Sequence, residues 1–168
     1  MHPQWMRPAP RKNPKAAFGL DYEDVSFQTE GGATLRGWFV PARQSDVCVV
    51  TVHGAGANRS EFLTEAKMLH DAGYPVLLFD CRGHGASDEV GRGISLGARE
   101  HRDVEAAASY ARQSREMKRV VVIGCSQWFV SRSRRTVRPV WSQGWREPQS
   151  LHQPQAVPRG EVLGPGRP

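Results

Sequence analysis

The sequence has few cysteines, no long apolar run and a very uneven supply of acidic residues. Its three cysteines, Cys48, Cys81 and Cys125, are an odd number without metal-ligand spacing, which argues against a disulfide scaffold or a zinc site. No stretch reaches the roughly 20 consecutive apolar residues that a membrane-spanning helix needs, so we expect no span. We therefore expect reduced, mostly buried thiols and a cytoplasmic location.

Lysine and aspartate do not occur after Ser126, and the basic and acidic side chains are unevenly distributed along the chain. Residues 1–126 hold 16 basic and 15 acidic side chains, whereas residues 127–168 hold seven arginines against Glu147 and Glu161. The net charge of +6 therefore belongs almost entirely to the last quarter of the chain. Residues 1–19 hold four prolines and lack the apolar core of a signal peptide, so we expect a flexible N-terminal segment.

Between residues 20 and 127 the sequence alternates strand and helix signals with short connections. Two strand-like runs flank a Glu-Gly-Gly turn and predict a hairpin. Three further apolar runs predict strands that are covered on both faces. Two helices separate these strands. The first begins at Asn58, where Asn58 and Glu61 form a capping box, and the second begins near Gly97. The expected fold is α/β, with a hairpin and a mostly parallel sheet flanked by helices. The five predicted strands are 25–28, 35–40, 47–52, 75–79 and 120–123.

His53-Gly54-Ala55-Gly56 follows the third predicted strand and precedes a helix. Backbone N–H groups exposed on such a turn can stabilise a developing negative charge, and glycine lets a substrate approach closely. The alternative is an ordinary glycine-rich turn. We interpret His53 as a structural residue rather than as the catalytic base, because it stands at the strand end.

Asp80-Cys81-Arg82-Gly83-His84-Gly85-Ala86-Ser87 follows the fourth predicted strand. Its glycines permit a tight loop, which Asp80, Arg82 and His84 can hold together through charge-assisted hydrogen bonds. We interpret this loop as structural. A direct role of His84 or Ser87 in the chemistry is the alternative.

Gly124-Cys125-Ser126-Gln127 follows the last predicted strand and supplies the candidate nucleophile, Ser126. A serine on a sharp strand-to-helix turn exposes its hydroxyl for attack on a carbonyl carbon. Cys125 is a weaker candidate, because no histidine or acid lies beside it in the sequence.

These three motifs, in this order, resemble the α/β-hydrolase superfamily, and most closely its esterase, lipase and serine-aminopeptidase-like branch. The resemblance covers Tyr22 to Gln127, the N-terminal half of such a domain. It implies five of the usual eight strands in the order 1-2-4-3-5-6-7-8, with Ser126 as nucleophile. It also implies an oxyanion hole from the backbone amides of Gln127 and of Ala55 or Gly54, an acyl ester or peptide-like small-molecule substrate, and neither metal nor organic cofactor.

The sequence departs from this pattern directly after Gln127. Trp128 occupies the place where the turn needs a small residue, and residues 128–168 hold three tryptophans, six prolines and seven arginines without periodicity. Glu147 and His152 are in the acid-then-histidine order of a triad, with no predicted strand between them. We expect residues 128–168 to be a disordered tail, and a frameshift, retained intron or gene-model error would account for it.

Three functional interpretations remain open. The first is a serine hydrolase acting on carboxylic ester, thioester or amide bonds through Ser126. The second is a non-catalytic fragment or pseudoenzyme with an open apolar strand edge. The third is a binder of nucleic acid or an acidic partner through the arginines and tryptophans of the tail, for which compositional bias is the simpler explanation.

Overall fold

A computed structural model describes residues 9–43, 45–89 and 99–125 of the 168-residue chain. These residues form five strands, three α-helices and one 3₁₀ turn. The strands are β1 (Glu23–Gln28), β2 (Thr34–Val40), β3 (Val47–Val52), β4 (Val76–Phe79) and β5 (Arg119–Gly124). The helices are α1 (Pro14–Phe18), α2 (Leu63–Asp71) and α3 (His101–Ser114), and the 3₁₀ turn (Arg59–Phe62) leads directly into α2.

The strands form one sheet in the order β1-β2-β4-β3-β5, which confirms the order that the resemblance implied. β1 and β2 pair as the predicted antiparallel hairpin, with Val25 opposite Gly37, and β2 is also antiparallel to β4. β4, β3 and β5 run parallel, with Val52 opposite both Phe79 and Gly124. The predicted fold class, a hairpin plus parallel strands with flanking helices, is therefore confirmed, and the antiparallel pairing of β2 with β4 makes the five-stranded sheet mixed.

Apolar side chains cover both faces of the sheet because β2 and β4 alternate their side chains between two cores. On one face, Cys48, Val50 and Val52 pack with the small residues of α3 and with aromatic side chains of the hairpin. On the other face, Trp38 and Val40 pack with Phe62, Ala66 and their neighbours of α2. Every residue of β3 after Val47 is buried, which explains why this strand is apolar apart from Thr51.

The helices differ from the prediction mainly at their starts. Arg59–Phe62 forms a 3₁₀ turn before α2, and the Asn58 side chain caps it by accepting a 2.9 Å hydrogen bond from Ser60 N–H. α3 begins at His101 rather than near Gly97, and residues 90–98 lie outside the described part. A capped helix, α1, stands within the segment 1–19 that we expected to be flexible, because Asn13 caps it and Pro14 begins it.

In the described ranges, no helix combines the length and apolar character that a membrane crossing requires. Residues 126–168 lie outside those ranges. The predicted nucleophile Ser126, its neighbours Gln127 and Trp128, the pair Glu147 and His152, and the expected disordered tail are therefore not described by the structure.

Candidate active site

Two loops and the end of β5 lie together at the carboxyl edge of the parallel strands. The first loop, His53–Ala57, follows β3, and the second loop, Asp80–Asp88, follows β4. The amide of Cys125, directly after β5, donates to the Val52 carbonyl at 3.3 Å. A Cβ atom on Gly54 would lie 3.9 Å from the Cβ of Cys125. The chain thus reaches the residue before Ser126 directly beside the first loop, at the edge where α/β sheets bind their ligands.

Three backbone amides of the first loop have acceptors in the surrounding structure. Gly54 N–H donates to Glu61 Oε2 at 2.8 Å, Gly56 N–H donates to His84 Nε2 at 3.2 Å, and Ala57 N–H donates to the Gly54 carbonyl at 3.2 Å. Ala55 is exposed, and its amide has no acceptor among the residues that the structure describes. Of the two amides that the resemblance offered for an oxyanion hole, Gly54 is therefore engaged and Ala55 is available.

The two histidines of these loops are almost completely buried, with 3% of each residue exposed. His53 Nε2 accepts from Cys81 N–H at 3.0 Å, and its Nδ1 lies 2.8 Å from the Gly54 carbonyl. His84 Nδ1 lies 3.0 Å from the Arg82 carbonyl, and its Nε2 accepts from Gly56 as described. Burial is the main cause that lowers the pKa of His53, so its ring is neutral at physiological pH.

Asp80 organises the second loop from a position with no solvent exposure. Its carboxylate accepts from Arg59 N–H at 2.7 Å and from Ala86 N–H at 3.0 Å, and the Arg59 guanidinium lies 3.6 Å away. That guanidinium also stacks over Trp38, 4.3 Å from the ring centroid. Because a Cβ on Gly85 would lie 2.2 Å from Asp80 Oδ2, only glycine fits there. A single buried carboxylate therefore joins the second loop to the start of the helical segment.

Arg82 joins the second loop to α3 through a buried ion pair with Asp103. The guanidinium donates twice to Asp103 Oδ1, at 2.8 and 2.6 Å, and Arg82 N–H donates to Oδ2 at 2.9 Å. Burial raises the pKa of Asp103 despite these three donors. Ser87 completes the loop, because its hydroxyl donates to the Asp80 carbonyl at 2.6 Å and accepts from Arg36 N–H at 2.9 Å.

Three features of this region did not emerge from the sequence. The Glu61 carboxylate, interpreted as part of a capping box, accepts the Gly54 amide. Asp103 was not identified from the sequence. Its spacing of four residues from Ala107 places it on the same, buried face of α3, and a charged residue on such a face was the available signal. Cys125 is exposed rather than buried, because it stands beyond the end of β5.

Two of the three cysteines are buried. Burial raises the pKa of Cys48 to about 12 and that of Cys81 well above its usual value, so both are inert thiols. Within residues 9–43, 45–89 and 99–125, no group of three or more histidine, cysteine or acidic side chains has the arrangement of a metal site.

Comparison with known proteins places this arrangement in a class. Residues 49–128 match the family model described as the Alpha/beta hydrolase family. The polyketide transferase grgF of a Penicillium species is 40% identical over 70 residues, which are 41% of this chain and 24% of that protein. A 2-hydroxy-6-oxononadienedioate/2-hydroxy-6-oxononatrienedioate hydrolase of Escherichia coli K12 is 42% identical over 64 residues, which are 36% of this chain and 22% of the hydrolase.

Solved structures agree with the sequence relatives. The esterase Pf2001 of Pyrococcus furiosus superposes with a TM-score of 0.63 and 30% identity, over 70% of this chain and 47% of the esterase. The crystal structure of GrgF from Penicillium gives a TM-score of 0.57 and 30% identity, over 62% of this chain and 37% of GrgF. The strand order, the two loops and these similarities define the class: the described residues have the fold of α/β hydrolases, and the chain is similar to members of that family over the matched residues. It spans about a quarter of the length of these sequence relatives and less than half of the superposed structures.

Proposed function

We propose that this chain derives from a serine hydrolase that cleaves carboxylic ester, thioester or amide bonds, with Ser126 as nucleophile. One observation carries the proposal: Cys125, the residue before Ser126, follows β5 and lies beside the first loop, where Ala55 is exposed and its amide has no acceptor in the described part. The relatives named as an esterase and as a hydrolase support the reaction class.

In this proposal the Ser126 hydroxyl attacks the acyl carbonyl carbon and transfers its proton to a general base. The carbonyl oxygen becomes an oxyanion, which the Ala55 and Gln127 amides stabilise. Collapse of the intermediate expels the alcohol, thiol or amine with that proton and leaves an acyl-serine. Water then attacks the acyl-serine and releases the carboxylic acid. The base and its acid would come from the residues after Ser126, where His152 and Glu147 are the candidates.

The first loop supports the proposal through its rigidity. The Gly54, Gly56 and Ala57 amides each have an acceptor within this region, so the backbone on both sides of Ala55 is fixed. A donor that is held in place before the reaction costs no reorganisation when negative charge develops. The second loop supplies one of those acceptors, His84, and is itself anchored by Asp80 and Arg82.

A fluorophosphonate probe on the full 168-residue chain tests the proposal, because it reacts with a serine hydroxyl only where that hydroxyl is activated. We expect the wild type to be labelled and the Ser126→Ala variant to remain unlabelled. Ser109→Ala is the matched control, since Ser109 is exposed on α3, and it should be labelled like the wild type. Absence of labelling in a folded wild-type chain would reject activity and favour the non-catalytic alternative.

A further inference from the structure

The two loops of the candidate site hold each other through their histidines. Cys81 N–H of the second loop donates to His53 of the first loop, and Gly56 N–H of the first loop donates to His84 of the second. The two rings lie with their centroids 4.9 Å apart and their planes tilted by 60°. Each histidine therefore serves as the acceptor for an amide of the opposite loop, an arrangement we call the histidine clamp.

The clamp requires one particular tautomer of both rings. Backbone amides can only donate, so Nε2 of each histidine must carry a lone pair and no proton. The proton of each neutral ring is then on Nδ1, where His53 donates to the Gly54 carbonyl and His84 donates to the Arg82 carbonyl. All four ring nitrogens thus have partners, and each ring uses its only acceptor on the opposite loop.

We infer that His53 and His84 are positioning residues that fix the first loop only while both rings are neutral, so that acidification releases this loop. The consequence for catalysis rests on the proposed function, because Ala55 lies between the two residues, Gly54 and Gly56, that the clamp contacts. The release itself does not depend on that function.

Protonation breaks the clamp for a simple geometric reason. An imidazolium carries a hydrogen on Nε2, which would then point at the amide hydrogen of Cys81 or Gly56 at a nitrogen–nitrogen distance of 3.0 or 3.2 Å. A second proton would also place two positive rings 4.9 Å apart in a buried site. The amide must therefore leave the ring, and the two loops separate.

Burial and the surrounding charges determine the pH range in which His53 takes up a proton. Burial has the largest effect and lowers the pKa of His53 from its usual 6.5, and His84 lowers it further. The hydrogen bond to Gly54 and the carboxylates of Asp80, at the end of β4, and Glu61, in the 3₁₀ turn, raise it. Around Cys81, which His53 contacts, lie Asp103 and Glu100 from the α3 side and the Arg82 guanidinium. Arg59 offsets the charge of Asp80.

The direction of the pH effect follows from the lowered pKa. Above about pH 6.5 the ring is neutral in both the folded and the unfolded chain, so His53 imposes no penalty. As the pH falls below that value, the unfolded chain takes up a proton that the folded chain binds less readily. Stability is therefore lost between the unfolded pKa and the lower folded pKa of His53, on the acid side of neutrality.

Hydrogen exchange on the full ¹⁵N-labelled chain tests the clamp without reference to activity. Between about pH 7.5 and about pH 5, we expect the protection factors of the Gly56 and Cys81 amides to fall about tenfold, the effect of losing roughly one hydrogen bond. The Gly32 amide, which donates to the Thr29 carbonyl at 2.9 Å, is the internal reference and should keep its protection.

Substitutions at His84 separate its role as a hydrogen-bond acceptor from the space that its side chain fills. His84→Gln places a non-titrating amide oxygen near the Nε2 position, so Gly56 should stay protected at both pH values. His84→Ala removes the acceptor, so Gly56 should be unprotected at both. His70→Gln, a control on α2 outside both loops, should behave like the wild type. The wild-type titration decides the question even where a variant does not fold.

The outcomes of the two proposals can be told apart. Gly56 and Cys81 protection that is equal at both pH values in the wild type, or an acid-induced loss of Gly56 protection in His84→Gln as large as in the wild type, would overturn the inference. If protection falls as expected while Ser126 is never labelled by the fluorophosphonate, the clamp stands and the proposed function fails. If Ser126 is labelled, its labelling rate should fall together with Gly56 protection.

Discussion

Replacing Gly85 by alanine tests how firmly Asp80 is held in the second loop. The new Cβ would lie 2.2 Å from Oδ2, 2.3 Å from Cγ and 2.6 Å from Oδ1 of Asp80. These distances are far below van der Waals contact, so the carboxylate must move. It cannot move without leaving the Arg59 and Ala86 amides, which it binds at 2.7 and 3.0 Å.

The free energy of unfolding that Gly85→Ala should cost has two parts. Gly85 has a φ of +47°, and a left-handed conformation costs a non-glycine residue about 1–2 kcal/mol. Loss of the two hydrogen bonds to a buried charged group adds roughly 1.5–3 kcal/mol each. The total of about 4–8 kcal/mol approaches the whole stability of a typical domain, about 5–15 kcal/mol.

The matched control is Gly32→Ala in the hairpin turn. Gly32 also has a positive φ, +78°, but a Cβ there would meet no atom within 4 Å. We therefore expect only the conformational cost of about 1–2 kcal/mol, measured by urea unfolding followed by circular dichroism. In an Asp80→Ala background the steric conflict disappears, and Gly85→Ala should cost no more than Gly32→Ala. Equal unfolding free energies for the two glycine variants in the wild-type background would refute the reasoning.

Two further predictions concern buried side chains. Asp103→Asn should lower the unfolding free energy by about 3–5 kcal/mol, because it leaves the Arg82 charge buried without its counter-ion. Asp71→Asn, which removes an exposed pair with Lys67, should have a much smaller effect in the same urea titration, and equal effects would contradict this view of the Arg82 pair. Brief treatment of the native chain with iodoacetamide should modify Cys125 alone, since Cys48 and Cys81 are buried. Mass spectrometry would detect the modification, and Cys125→Ser should abolish it; early modification of Cys48 would show that the core opens more readily than its packing indicates.

Apart from α1, the sequence predicted the elements of the described fold, because their signals were local. The Glu-Gly-Gly turn predicted the hairpin, the apolar runs predicted β3, β4 and β5, and Gly73 after α2 marked a helix end. Boundaries set by cross-chain contacts were predicted less well. The 3₁₀ start of α2 depends on contacts with Asp80, and α3 begins at His101, beside the buried pair of Asp103 with Arg82.

In the candidate site, too, local signals could be predicted from the sequence and contacts between distant residues could not. The sequence identified Asp80, Arg82 and His84 as members of a loop, but it could not show which groups they bind. Each of the three has a partner 21 to 28 residues away along the chain, on another element. The resemblance offered the Ala55 amide, with Gly54 as the alternative, and the contact of Glu61 with the Gly54 amide distinguishes the two.

What the sequence determined by itself is the α/β character of residues 20–125, the position of the two glycine-rich loops and the departure from the family pattern after Gln127. Periodicity, turn chemistry and composition are properties of neighbouring residues, so they can be read without a fold. The tertiary structure alone decided that His53 and His84 each accept a hydrogen bond from an amide of the opposite loop, that Cys125 is exposed, and that Asp103 neutralises Arg82. These are contacts between strand ends and loops that become neighbours only when the parallel strands align their carboxyl edges.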